Sequence, residues 1–294
     1  MSFAVNKKMT IGDWINYIVI VVISLACLVP FFYVIVISLT DPEVYVPFQF
    51  KLWPEKWSLA SYSYLLSTNS FINSLKSTLF ITVVGTILNV AVTFSMAYAL
   101  TKKTMPGRNL ILTLVVFTLV FNAGIVPNYL LIRSLGLINS LWALILFTLT
   151  NAWSLIVVKS FMDSLPPELE DAARIDGCTD IGVFFRIIIP LSKPAIAAFT
   201  LFFAVAHWNT YFNALIFLTD SSKWTLQLLV KTLVIDSSST GVGQAGTIGS
   251  DEALLPQETI RMASIVLAIL PILVVYPFLQ KYFAKGVMLG SVKG

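Results

Sequence analysis

The stretch PPELEDAARIDGCTDIGVFFRIIIPLSKP, residues 166–194, is the longest run in this chain that lacks a membrane-length apolar block yet still reads as ordered. Prolines open and close it, acids follow the entry, and Ala172, Ala173 and Gly177 mark its middle. Pro166 and Pro167 suit a first helical turn, where a missing N–H costs nothing, and Ser164 is placed to cap it. Glu168, Glu170 and Asp171 then stand at the positive end of the helix dipole. Glu170 and Arg174 are spaced for an i,i+4 ion pair in the favourable order. Leu165, Leu169, Ala172 and Ala173 share a face on which the two alanines admit close approach. Gly177, after Asp176, suits a helix end at positive φ. Thr179 or Asp180 can cap a second short helix with Ile181, Phe184, Phe185 and Ile188 as its apolar stripe, stopped at Pro190. The local expectation is two short helices over 164–190, joined at Gly177. A linker lying on a membrane surface and a handle gripped by another protein fit this chemistry equally.

Outward from this segment the chain is apolar. Of 294 residues, 57% are hydrophobic and 12% charged, where a soluble domain carries about 25%. A hydrocarbon layer of ~30 Å takes about 20 helical residues, and several blocks reach that length with few charges. The alternation of a membrane β-barrel is absent. The fold class is therefore all-α, a polytopic membrane protein with six transmembrane helices near 14–39, 71–100, 110–132, 140–161, 194–218 and 260–283. Residues 1–13 form the N-terminal segment, 285–294 a basic tail, and 40–70 and 220–259 the long loops. The first apolar run is too long for a signal peptide and has no small-residue cleavage site, so it reads as a retained span. Asn122, Gly124 and Pro127 predict a kink in the third span.

Six spans put both termini on one side, together with residues 164–190. Twelve of the 19 Lys and Arg fall there, so the positive-inside rule makes that side cytoplasmic and the 40–70 and 220–259 loops external.

The chemistry of catalysis is thin. The chain has no GxxxxGK[ST] phosphate loop, and nothing in it suggests a bound cofactor, a metal or nucleic acid. GVGQAG (Gly241–Gly246) fits G-x-G-x-x-G, but neither strand nor helix frames it, and it reads as a flexible loop. Cys27 and Cys178 read as packing residues rather than a disulfide. His207, the single histidine, lies inside the fifth span. His207 and Tyr211 share one helical face, and Asn209 and Asn213 a nearly opposite one. With Trp208 they are candidates for a substrate pathway, the rings stacking on sugars and the amides bonding hydroxyls. Interhelical hydrogen bonding accounts for them as well, and Asn89, Thr93, Asn122 and Asn151 read as packing contacts. A secondary transporter calls for inverted repeats, broken helices and intramembrane charges, and a membrane enzyme for an acid–base constellation. Neither pattern is visible.

Residues Asp171-Ala-Ala-Arg-Ile-Asp-Gly177, nine residues and Ile187-Ile-Ile-Pro190 resemble the E-A-A-x-x-x-G-x(9)-I-x-L-P signature of ABC importer permeases. Ala172, Ala173, Gly177 and Pro190 match directly, and Asp171 stands in the glutamate position beside Glu170. The resemblance extends over the chain and implies a type I importer permease core over 71–284. It implies that Glu170, Asp171, Ala172, Ala173, Arg174, Asp176, Gly177 and Pro190 belong to a coupling helix docked on an ATP-hydrolysing subunit. The C-terminal GVMLGSVKG resembles the tail of maltose-type permeases, which implies ATPase contacts for Gly290, Val292, Lys293 and Gly294. FNAGIVPNYLLIRSLGLINS, AHWNTYFNAL and the last 37 residues resemble the branch for alginate, pectin-derived and aldouronate saccharides. Alginate is the leading single substrate on that ground; a permease for amino acids or peptides shares the same signature. The implied partners are a second permease, two ATP-binding subunits carrying ATP and Mg, an extracytoplasmic binding protein and the lipid bilayer of a bacterial inner membrane. The 220–259 loop is implied to reach into the binding protein, although its Gly/Ser-rich composition equally fits disorder.

Overall fold

The computed structural model describes residues 10–47, 49, 51–239 and 256–286. Among them every extended element is helical, and β pairing is confined to one isolated bridge, Thr40 to Trp57. The chain divides into two compact units, Met1–Ser67 with Leu233–Ala268 and Thr68–Thr232 with Ile269–Gly294.

In the first unit α1 (Ile11–Ser38) opens on a capping box. Thr10 Oγ1 accepts from the Asp13 N–H, and the Asp13 carboxylate accepts from the Thr10 N–H at 2.8 Å. Its apolar side chains face outward along nearly the whole length, and burial is confined to Val36, Ile37 and Ser38. That pattern suits lipid on all sides. Cys27, expected to pack inside, is exposed on it. Residues 40–59 fold back on themselves. The Asp41 N–H bonds the Lys56 carbonyl and the Ser58 N–H bonds the Leu39 carbonyl, each at 2.9 Å. The Lys56 ammonium, 2.5 Å from Asp41, holds that carboxyl below the usual carboxylate range. Tyr62 on α2 (Ala60–Ser67) meets the Ser38 hydroxyl at 2.6 Å. The Tyr45 hydroxyl donates to Glu258 in the first turn of the last helix, Gln257–Gly286; burial first, then this bond, push the phenol well above its ordinary range.

The second unit is built on α3 (Asn69–Thr101), the long helix against which α6, α7 and α11 pack. The expected third span is two helices, α4 (Arg108–Val120) and α5 (Ile125–Ser134), parted at 121–124, where Asn122 and Gly124 lie; Pro127 falls in the first turn of α5. The fourth is also broken. α6 (Leu141–Phe147) and α7 (Ala152–Asp163) meet at 50° across 148–151. Here side chains replace the interrupted ladder: Thr148 Oγ1 donates to the Leu144 carbonyl at 2.8 Å, and Asn151 Oδ1 accepts from the Ser154 N–H at 2.8 Å. Residues 164–194 form α8 (Glu168–Ile175), α9 (Asp180–Val183), a π turn (Phe184–Ile188) and α10 (Ile189–Leu191). The chain then bends 80° into α11 (Lys193–Trp208).

The fifth span, expected to run unbroken over 194–218, stops at Trp208 and resumes as α12 (Phe212–Phe217). Asn209 Nδ2 donates to the Val205 carbonyl at 2.8 Å and Thr210 Oγ1 to the Ala206 carbonyl at 3.2 Å. These side chains compete with the backbone for the last carbonyls of α11, and Thr225 Oγ1 takes the Thr210 carbonyl at 2.7 Å. The 220–259 loop is likewise half helix: α13 covers Leu226–Ser239, whereas Gly241–Gly246 lies outside the described residues. The last helix, α14, is Gln257–Gly286. Three described helices can cross a bilayer alone, and bent pairs raise the number to five; of the expected six, the broken third span is not among them, and its first half is a shorter apolar helix.

Two cores hold this unit. One gathers Phe94, Ala97, Tyr98 and Leu100 of α3 with Leu155, Val158 and Met162 of α7, Phe199 and Phe203 of α11, and Ala173, Val183 and Ile188 of the 164–194 segment. The other gathers Ile81, Ile132, Ala143, Leu144, Ile145, Ala214, Phe217, Leu218 and Leu228 around the broken spans.

Candidate functional site

The 164–194 segment exits α8 as a Schellman turn. The Cys178 N–H reaches the Ala173 carbonyl at 2.9 Å and the Gly177 N–H the Arg174 carbonyl at 3.0 Å, with Gly177 at φ 81°. Thr179 caps the following helix by accepting from the Gly182 N–H. Several local expectations fail. Pro167, not Ser164, stands at the cap position of α8, and the Ser164 hydroxyl bonds back to the Phe161 carbonyl instead.

Glu170 and Arg174 do not pair. Glu170 takes the ammonium of Lys102 at the end of α3, and Lys102 also lies 4.2 Å over the Tyr98 ring. Arg174 reaches across the turn to Asp180 at 2.9 Å, and that hydrogen bond raises its already high pKa. Tertiary partners outcompete the neighbour one turn away, since an exposed i,i+4 pair is worth only ~0.5 kcal/mol.

The expected apolar stripe is also divided. Ile188 is buried and Phe184 half-buried, but Ile181 and Phe185 are exposed, while Val183 is fully buried in their place. On α8 Ala173 faces the core, and Ala172, Asp171, Asp176, Gly177 and Leu169 face out, with Pro190 exposed at the far end. One side of this segment is thus fixed to the membrane helices, and the other is an exposed apolar and acidic surface. Gly290, Val292, Lys293 and Gly294 lie outside the described residues.

A second site lies among the breaks. A cavity of about 420 Å³ is lined by polar groups of α3 (Asn89), of the 148–151 break (Thr148, Thr150, Asn151) and of the 209–211 break. His207, Asn209, Tyr211 and Asn213 all line it; Trp208 is buried and does not. On one straight helix the two pairs would face apart; stopping the helix at Trp208 brings both to one space. His207 enters because Gly85 of α3 has no side chain. A Cβ there would sit 2.5 Å from its Nε2. Nε2 stands 3.4 Å from Asn89 Oδ1, and Asn89 Nδ2 donates to the Thr148 carbonyl at 2.8 Å. Thr93 meets Thr150 at 3.1 Å. Asn89, read from sequence as a packing residue, is buried and also lines the cavity; Asn151, read the same way, is exposed, caps α7 and lines the cavity too. The signal for Asn89 was the pairing of a lone glycine, Gly85, with a polar residue one turn on in a largely apolar helix. A neighbouring cavity of about 160 Å³ shares Phe147, Phe212 and Asn213 and reaches Asn122 at the break in the third span.

The broken helices that the sequence did not show are thus present, and irregular backbone at membrane depth that lines polar cavities is a feature of transport proteins in general. The model of the binding-protein-dependent transport system inner membrane component matches residues 1–289, and the chain belongs to that family. It is 45% identical to the polygalacturonan/rhamnogalacturonan transport system permease protein YtcP of Bacillus subtilis, over 98% of this chain and 100% of that one. Protein LplC of Bacillus subtilis is also 45% identical, over 98% of this chain and 97% of its own length. Among solved structures, one described as a bacterial ABC transporter involved in the import of the acidic polysaccharide alginate superposes with a TM-score of 0.84. Its identity is 29%, and the match covers 95% of this chain and 100% of that one. The fold is that of a type I ABC importer permease, and the protein is a transport component of the inner membrane.

Proposed function

We propose that this chain is one of two permease subunits of an ATP-driven importer for acidic, uronate-bearing oligo- or polysaccharides. An extracytoplasmic binding protein delivers the saccharide; two cytoplasmic ATPase subunits, holding ATP and Mg, supply the work. The outward faces of Asp171, Ala172, Arg174, Asp176 and Gly177 dock on one ATPase, Glu170 fastens that segment to Lys102, and Gly290, Val292, Lys293 and Gly294 reach toward the same pair. Both termini then lie in the cytoplasm. Closure of the ATPases turns 164–194 with the helices it is fastened to, and the cavity beside His207 opens alternately to each side.

The observation that carries this reading is the shared core. Ala173, Val183 and Ile188 share a core with Phe94, Phe199 and Phe203, on the helices α3 and α11 that also carry Asn89 and His207. Close-packed interiors transmit displacement rather than absorb it. The cargo class rests on the relatives: polygalacturonan and alginate are both polyuronates, and alginate is the first single candidate on resemblance. The sugar-facing groups are His207, Asn209, Tyr211 and Asn213.

The test is uptake into proteoliposomes by the complex of this chain, the second permease, both ATPases and the binding protein. ATP-dependent uptake of oligogalacturonate or oligoalginate is expected, with none when either permease is omitted. Transport by this chain alone, or uptake of neither acidic saccharide, overturns the reading.

A further inference from the structure

Two lysines in the second unit lie over tyrosine rings. Lys102 Nζ is 4.2 Å from the Tyr98 centroid, and Lys231 Nζ is 4.7 Å from that of Tyr211. The first also holds the carboxylate of Glu170. The second is exposed and makes no ion pair with a described residue. A cation over an aromatic face is positioned by the ring quadrupole, but its net charge is not neutralised, and its three N–H donors remain available. Among the described residues Lys231 is therefore a held cation without an anion.

Its position gives that charge a use. Tyr211 lines the 420 Å³ cavity, and no Lys, Arg, Asp or Glu is among the described residues that line it. Amides, hydroxyls and rings suit sugar hydroxyls and ring faces, but none of them supplies a counter-charge for a carboxylate. The helix carrying Lys231 is well fixed: the Leu226 N–H bonds Thr78 Oγ1 at 2.7 Å, and Leu228 is buried in the second core. Lys223 on the same side is committed to the Asn139 carbonyl at 2.9 Å.

From this we infer that Lys231, held over Tyr211, is the carboxylate-reading group of the pathway and takes from a uronate in transit the anion that Glu170 gives to Lys102. The absence of an acidic side chain in the cavity lining removes the repulsion such a cargo would otherwise meet. This inference rests on the acidic-saccharide reading above and adds to it the residue that distinguishes acidic from neutral cargo.

The experiment compares uptake of trigalacturonate by the whole transporter, with its binding protein, in proteoliposomes. The chain carries Lys231, Lys231→Met, Lys231→Arg or Lys231→Glu, and binding-protein-stimulated ATP hydrolysis reports assembly. Lys231→Met keeps an unbranched apolar stem and removes the charge, and it is expected to lower uptake relative to ATP hydrolysis about two- to fivefold, the scale of one exposed charge contact. Lys231→Arg is expected to restore it, and Lys231→Glu to reduce it further. Equal uptake by Lys231→Met and Lys231→Arg overturns the assignment, whether both match the unaltered chain or both fall. Failure of the unaltered transporter to take up trigalacturonate or oligoalginate sinks the acidic-saccharide reading itself, and this assignment with it.

Discussion

Residues 164–194 and the cavity beside His207 share one unit and are joined through one core, but they are built from different kinds of contact. The segment is mostly local: its Schellman turn at Gly177 and its Thr179 cap join residues at most five apart in sequence. The cavity is the reverse. Its walls come from residues 89, 147–151 and 203–213, and its hydrogen bonds join Asn89 to Thr148 and His207 to Asn89 across more than fifty residues. The difference teaches where each can be damaged. A local motif tolerates change on its outward face and fails only when its partner is lost. A space assembled from distant breaks depends on each wall keeping its distance.

The largest expected effect separates the two faces of α8. Ala172→Leu adds bulk to an exposed position, so the purified permease should keep its thermal midpoint while binding-protein-stimulated ATP hydrolysis by the complex is lost. Ala173→Leu overpacks a buried one and should cost about 1–3 kcal/mol of stability, read as a lower midpoint in the permease alone. A pair of variants with the same thermal profile would remove the distinction between docking face and core face.

Next in size is Gly85→Ala. The new methyl would lie 2.5 Å from His207 Nε2, and the ring is buried, so the expected loss is about 1–3 kcal/mol. His207→Ala in the same chain should recover part of it, the signature of a direct contact in a double-mutant cycle. Additive losses would mean that the glycine does not serve the approach of that ring.

Gly177→Ala meets no atom within 4 Å of its new Cβ, but φ is 81°; the conformational cost is about 1–2 kcal/mol. Amide exchange should quicken at the end of α8 and leave the cavity helices α3 and α11 unchanged. Accelerated exchange in those helices would show the segment and the cavity to be one cooperative element.

The smallest effect belongs to Glu170→Gln. It removes the anion facing Lys102, whose side chain is 17% exposed, and about 1 kcal/mol is expected for such a partly solvated pair. Loosening should be confined to α8. No change in its protection would mean that the Ala173 contact alone fastens it.

Much of the segment was legible. Proline at the entry, glycine after an acid and threonine before a hydrophobic run are backbone requirements, and they act within a few residues. The pairing of Glu170 with Arg174 was misread, because sequence spacing offers that neighbour but cannot display Lys102 or Asp180. The third break was marked by Asn122 and Gly124. Those of the fourth and fifth spans were not foreseen, since Thr148, Asn209 and Thr210 disrupt a helix only when they turn to bond its carbonyls, and Asn151 only when it turns to cap the next one.

By itself the sequence determined that this is a helical membrane protein of the importer permease kind, because a lipid interior forces long apolar runs and a docking segment keeps its spacing. Tertiary structure alone decided that His207, Asn209, Tyr211 and Asn213 meet at one cavity, that Gly85 makes room for the ring, and that Lys102 has a carboxylate while Lys231 has none among the described residues. Those facts depend on where helices stop and on which residues lie across a gap, and neither is fixed by any run of neighbours along the chain.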